Sequence, residues 1–275
     1  MNTQYDESDD LEAVKKLHAS FNVAIVGYGF NGKATERILS KAKNIKRIQI
    51  QDPKYKKKIS PDEWDLIKYA FICVPTPLIT NGYILDHFYD GDWYDMSIIE
   101  NAISEIPNHV RIAIRSTIGP DSIKKGWIHW PEFLREHHWE EDADDKSIPI
   151  IIGAHHDDSA WGDFAFMFPE RKGVFVSAKV AATYKISRNA MLAAKIVQAN
   201  YINRVCREYD VEYNDVANLL KDYANLGDSH WDVPGPDGKF GFGGSCFPKD
   251  TIHFSSITSG HNIFDYVLRC NERDR

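Results

Sequence analysis

Residues 21–32 read FNVAIVGYGFNG. It opens as a β-rich apolar run, which reads as a strand. It leads into Gly27, Gly29 and Gly32, spaced G-x-G-x-x-G. In a dinucleotide fold the first glycine permits a tight turn, the second lets a pyrophosphate approach the backbone, and the third allows close helix–strand packing. A helix is predicted from about Asn31. RIQIQD follows as a second strand, ending at Asp52, 20 residues after Gly32. An acid there takes the ribose hydroxyls and disfavours a 2′-phosphate, so NAD is expected rather than NADP, with Lys54 and Lys57 close by.

The third apolar strand, in YAFICVPTP, stops at a Pro-Thr-Pro loop that cannot extend a ladder. A helix over about Met96 to Ile106 leads to RIAIRST, a strand ending in Ser116 and Thr117, so both strands bring hydroxyl-bearing loops to the crevice where such sheets bind ligands. GWIHWPEFLRE and SIPIIIGA complete the sheet, with an acidic loop, Glu140 to Asp145, between them. This order predicts an α/β chain with a Rossmann-like, doubly wound, mainly parallel sheet. From Ala178 to Glu208 no proline or glycine interrupts a helical pattern, which at 1.5 Å per residue is roughly 45 Å long. Lys185 and Asn189, four apart, share one of its faces. A shorter helix over about Asn214 to Tyr223 precedes Gly227 to Gly238, expected to be a mobile loop. The expected domains are an extension at 1–20 with about two helical turns, an NAD-binding domain at 21–177, and a small helical domain at 178–275.

That last domain carries GFGGSCFPKD, Gly241 to Asp250. Three glycines in four positions clear side chains away from the backbone and bring Cys246 to a loop surface. A helix from Pro248 would turn its positive end toward the thiol, with Lys249 adding charge and Asp250 one turn below.

With 275 residues and a net charge of -7 the chain lacks the basic face that phosphate backbones require, so nucleic acid is excluded and a small molecule expected. Its four cysteines have neither paired nor metal-ligand spacing, which fits free thiols in a reducing compartment. The acidic N-terminus does not read as a signal peptide, and no apolar run approaches a membrane span. A cytoplasmic protein without metal is expected.

Taken in order, GYGFNG, VPTP, STI, PEFLRE, the KxxxN of Lys185 to Asn189 and FGFGGSCFPKD resemble the UDP-glucose/GDP-mannose dehydrogenase family over residues 21 to about 271. The resemblance implies oxidation of a sugar-nucleotide alcohol to a carboxylate with two NAD in succession and a thioester on Cys246. UDP-glucose is the expected substrate. It also implies that Lys185 and Asn189 stabilise an oxyanion, that Asp250 and Thr117 position water, and that Glu132 is the base for thioester hydrolysis. Contacts to NAD are implied for Gly27, Tyr28, Gly29, Phe30, Asn31, Gly32, Asp52, Lys57, Val74, Pro75, Thr76, Ser116, Glu136 and Lys249. Phe133, Leu134, Arg135 and the backbone of Phe240, Gly241, Phe242 and Gly243 would hold the sugar nucleotide.

There are departures as well. The short span from Asp52 to Tyr69 cuts down the helix and strand that usually intervene, and the family's C-terminal domain has no counterpart, so a homodimer or a partner chain is expected to complete the nucleotide site. Two other functions stay open: a two-electron dehydrogenase of a smaller hydroxyacid or sugar, which has no use for Cys246, and a non-catalytic NAD-binding interaction protein.

Overall fold

The computed structural model describes residues 20–79, 94–135, 138–155, 158–224, 226–257 and 262–275. The expected extension at 1–20 therefore lies outside the described residues except for its last position. Two compact units are formed. One reaches to Pro77 and resumes over Tyr94–Lys185; the other is Ile186–Arg275 with Leu78 and Ile79.

In the first unit β1 (Phe21–Val26) pairs in parallel with β2 (Ile45–Gln51) on one side and β3 (Ile67–Ile72) on the other, and the sheet continues through β4 (Arg111–Ile114), β5 (Ile128–His129), β6 (Ile150–Gly153) and β7 (Gly173–Val176). The order is β2-β1-β3-β4-β5-β6-β7, parallel except between β5 and β6. The chain thus leaves β1 on one side and returns on the other, which makes the carboxyl ends of β1 and β3 the topological switch point where α/β sheets bind ligands. Helix α1 (Phe30–Leu39) follows β1, and its Ala34, Ile38 and Leu39 pack on Val23, Ile25 and Phe71 in a core completed by Trp130 and Phe164. Phe71, Trp130 and Phe164 meet edge to face, with centroids 5.6–6.1 Å apart, the geometry aromatic quadrupoles favour.

Between β2 and β3 the chain makes only a backbone bridge, Asp52 with Lys57, and the four-residue α2 (Pro61–Trp64), so β2 is the edge strand. Helix α3 (Ser97–Ser104) falls inside its expected range. The acidic stretch Glu140 to Asp145, expected as a loop, is instead largely α4 (Trp139–Asp144). Its three first-turn acids suit the positive end of a helix, and Asp144 pairs with Arg37 at 2.6 Å. β7 has no counterpart in the sequence reading. It follows α5 (Ala160–Met167) and is short, half-buried and headed by a glycine.

Helix α6 (Ala178–Glu208) has its expected bounds, and the two units part at Lys185 and Ile186, within this helix. In the second unit Ala190, Ala193, Ala194 and Val197 form a narrow stripe against Phe264, Val267 and Leu268 of α9 (Ile263–Asp274), while Ala199 and Cys206 meet Tyr213 and Ala217 of α7 (Tyr213–Tyr223). Gly227 to Gly238 forms no helix or strand, and within it Trp231 is buried, its Nε1 donating to Gly227 O at 2.7 Å and its carbonyl accepting from Tyr213. Helix α8 (Phe247–Ile257) starts directly after Cys246.

Candidate active site

The glycine loop of the first unit has the geometry its spacing predicts. Gly27 has φ +90°, and a Cβ there would lie 3.0 Å from the backbone of Cys73. A Cβ on Gly32 would come within 2.1 Å of Gly27 O, whereas one on Gly29 would meet nothing within 4 Å. The loop is therefore closed where it packs and open where a pyrophosphate would lie, and the backbone at Gly29, Phe30 and Asn31 leads into the N-terminus of α1. These residues fit a dinucleotide.

Asp52 is buried at the end of β2. Its Oδ2 accepts from Tyr28 N at 2.5 Å and its Oδ1 from Lys54 N at 2.8 Å and Tyr55 N at 3.4 Å. A carboxylate offers about four lone-pair sites, so Asp52 braces the glycine loop and keeps capacity for a hydroxyl. The Tyr28 hydroxyl donates to Glu36, with burial pushing Tyr28 up to about 12, and Lys57 Nζ lies 4.9 Å from its ring centroid. The loops after β3 and β4 are tied together: Ser116 Oγ donates to Val74 O at 2.6 Å and Thr76 Oγ1 donates to Thr117 O at 2.7 Å. With Pro75 between them, Val74 and Thr76 line the carboxyl edge of the sheet.

Past β5, in Trp130 to Arg135, the structure brings two predicted residues together. Lys185 Nζ stands 3.0 Å from Glu132 Oε1, the two side chains only 3% and 4% exposed, and Leu134 N donates to Glu132 Oε2 at 3.2 Å. Phe133 packs edge to face on Tyr184 at 5.5 Å, with Lys185 Nζ 5.6 Å from its ring centroid. Arg135 is held by Asp142, Nη2 to Oδ1 at 2.6 Å. Glu136 lies outside the described residues.

In the second unit Cys246 is half-buried and immediately precedes α8, whose first hydrogen bond runs from Asp250 N to Cys246 O at 2.8 Å. Asp250, one turn on and fully buried, accepts from Asn189 Nδ2 at 2.6 Å and pairs with Lys249 Nζ at 3.1 Å. Arg188 Nη1 donates to Asn189 Oδ1 at 3.4 Å. The loop before the thiol is gripped by side chains that the sequence reading passed over. Asn271 accepts from Phe242 N at 2.6 Å and donates to Phe242 O at 3.0 Å, while Asn200 Oδ1 accepts from Gly241 N at 3.3 Å. Gly241 has φ +72°, and a Cβ there would strike Asn271 Oδ1 at 2.3 Å. Phe242 is buried and Phe240 exposed, 5.9 Å from the Arg207 guanidinium; Gly243 lies against Arg275, which pairs with Asp237 at 2.5 Å. The one local sign of Asn271 is a polar residue on the apolar face of α9.

The first unit is thus a Rossmann-type switch-point sheet with an open glycine cradle, and the second presents a thiol at a helix N-terminus. Residues 179–273 of the chain match the model of the UDP-glucose/GDP-mannose dehydrogenase family, central domain. Its relatives include the UDP-glucose 6-dehydrogenase of Rickettsia felis, 27% identical over 221 residues (72% of this chain, 45% of that one). The GDP-mannose 6-dehydrogenase of Pseudomonas aeruginosa is 27% identical over 235 residues (74% and 50%). The chain spans about half the length of these relatives. Among solved structures, a UDP-glucose dehydrogenase from Pyrobaculum islandicum superposes with a TM-score of 0.73 at 20% identity (93% of this chain, 69% of that one). The GDP-mannose dehydrogenase of Pseudomonas aeruginosa gives 0.60 at 23% (92% and 68%). Both share the fold.

Proposed function

We propose that this chain carries the chemistry of an NAD-dependent nucleotide-sugar 6-dehydrogenase, oxidising the primary alcohol of a sugar nucleotide, UDP-glucose first among them, to the carboxylate. The observation that carries this reading is Cys246 at the head of α8 with the buried Asn189–Asp250–Lys249 set one turn inward. A two-electron dehydrogenase has no need of that thiol, and a binding protein has no need of the buried polar residues beneath it.

The residues that would hold NAD are the cradle at Gly27, Gly29 and Gly32, Asp52, and the tied loops at Val74–Thr76 and Ser116. NAD supplies the acceptor for two hydrides taken in succession. Lys185 and Asn189 stabilise the negative oxygen on the sugar carbon, where one such donor is worth about 3 kcal/mol. Cys246 Sγ bonds to the aldehyde carbon while its proton passes to the carbonyl oxygen, which keeps the intermediate covalent and leads to a thioester. Glu132 takes a proton from water, the water oxygen bonds to the acyl carbon, and the C–S bond breaks to release thiolate and the carboxylic acid, which loses its remaining proton to solvent as the carboxylate. Asp250 and Thr117 orient that water. Phe133, Leu134, Arg135 and the Phe240–Gly243 loop take the sugar nucleotide, with a second copy or a partner chain completing the nucleotide grip.

The test is NADH release over a panel of UDP- and GDP-sugars, with carboxylate quantified. Two NADH per sugar in the wild type, together with loss of carboxylate and unchanged NAD affinity in Cys246→Ser, is expected. One NADH per sugar with a serine variant as fast as wild type sinks the four-electron reading.

A further inference from the structure

Arg115 ends β4 at 2% exposure and has no part in the chemistry above. Its Nε donates to Thr35 Oγ1 of α1 at 3.0 Å, and its Nη1 donates to Trp130 O at 3.0 Å and Pro131 O at 3.4 Å, with the guanidinium carbon 4.0 Å from the Trp130 ring centroid. All of these acceptors are neutral oxygens. A charge taken out of water among neutral groups costs several kcal/mol. That burial holds Arg115 down to about 10, with the negative forms of Cys73 and Glu132 acting in the opposite direction. A core residue with only space to fill would be apolar here.

The network closes on itself. Thr35 Oγ1 donates to Asn31 O at 2.7 Å, and Asn31 Nδ2 donates to the Arg115 carbonyl at 3.2 Å. The first turns of α1, the end of β4 and the residues before Glu132 thus form one hydrogen-bonded circuit. Trp130 and Pro131 are the two residues immediately before Glu132, and the proline ring fixes its own φ, so an anchor on their carbonyls fixes the backbone from which Glu132 extends. We propose that Arg115 is a positioning residue for Glu132, holding the Trp130–Pro131 carbonyls so that the carboxylate stands where thioester hydrolysis needs it. This rests on the reading of Glu132 as the hydrolytic base.

The deacylation step isolates this role. Its chemistry is redox-neutral: one C–O bond forms, one C–S bond breaks, and the water proton passes to Glu132. Misplacement of a catalytic group by about 1 Å costs on the order of 100-fold in rate. Full-length wild type, Glu132→Gln, Arg115→Lys and Thr35→Val are mixed with NAD and UDP-glucose, with GDP-mannose in parallel. Rapid-quench NADH release is recorded, and intact-protein mass spectrometry detects the acyl adduct on Cys246. In Arg115→Lys the first-turnover NADH burst is expected to match wild type, with steady turnover falling about 10- to 100-fold and the acyl adduct accumulating as it does in Glu132→Gln. Thr35→Val, which removes the acceptor of Nε and leaves the guanidinium, is expected to do the same more weakly. A merely structural role would lower the burst amplitude and accumulate no adduct.

If Glu132→Gln itself accumulates no adduct, the base assignment fails and the proposal falls with it. If it does accumulate adduct while folded Arg115→Lys and Thr35→Val hydrolyse like wild type, only the proposal is overturned. Failure of both variants to fold assigns Arg115 to the core and overturns it as well.

Discussion

Breaking the Lys185–Glu132 pair gives a test whose magnitude can be worked from the surroundings. The side chains are 3% and 4% exposed and their charged atoms 3.0 Å apart, so each substitution leaves a charge out of water, for which losses of about 3–5 kcal/mol are the rule. The two losses should be unequal. Lys185→Met leaves a carboxylate that still accepts from Leu134 N and still interacts with the Arg115 charge, so its loss is expected near 3 kcal/mol. Glu132→Gln removes the negative charge from between two buried cations and is expected near 5 kcal/mol. Because the residues touch, the double variant should cost less than the sum, with a coupling on the order of 2 kcal/mol. Urea unfolding followed by tryptophan fluorescence reads all four proteins, with equal slopes required before the free energies are compared. Single losses below about 1 kcal/mol with no coupling would refute the premise that the pair is desolvated.

Three further outcomes are expected. His129 is fully buried, which holds it down to about 3 against about 6.5 unfolded; the unfolded chain then binds the extra proton, and stability falls as pH drops through this window by up to about 1.4 kcal/mol per pH unit. His129→Phe should flatten that slope, and identical acid slopes in the two proteins would contradict it. Gly32→Ala, whose methyl would sit 2.1 Å from Gly27 O, should lower the melting temperature and weaken NAD binding by calorimetry, an unaltered NAD affinity being the adverse result. Met191 on α6, Leu219 and Tyr223 on α7, and Tyr209 just past the end of α6 are exposed, and light scattering is expected to show self-association; a strict monomer at high micromolar concentration would count against it.

How far the sequence could be read depended on how local each cause was. The cradle was legible because Gly32 answers to Gly27 O five residues earlier and Gly27 to its own left-handed φ of +90°. Helix α6 was legible because nothing in it interrupts the helical pattern. Asp250 and Asn189 could be named from motif, yet their pairing spans 61 residues and only the fold shows it. β7 was missed because GVFV is too short to outweigh its glycine, and the acidic stretch was taken for a loop because its helix is stabilised from outside by Arg37 and Arg135. Arg115 and Asn271 left almost no local trace: an arginine closing an apolar strand and an asparagine on an apolar helix face owe their meaning to partners 15 to 80 residues away. The parting of the units within a continuous helix has no sequence signal either, since helix propensity takes no account of which core a turn faces.

The Asn271 clamp on Phe242 also bears on the order in which the protein is made. Translation releases Gly241 to Cys246 before Asn271, which follows Phe242 by 29 residues. Until that helix emerges and docks, the loop has no partner for the Phe242 backbone and Gly241 has no reason to keep its left-handed conformation. In a nascent chain the loop that carries the thiol therefore lacks the Asn271 clamp, and the shape that aims the sulfur is completed by a helix synthesised after it.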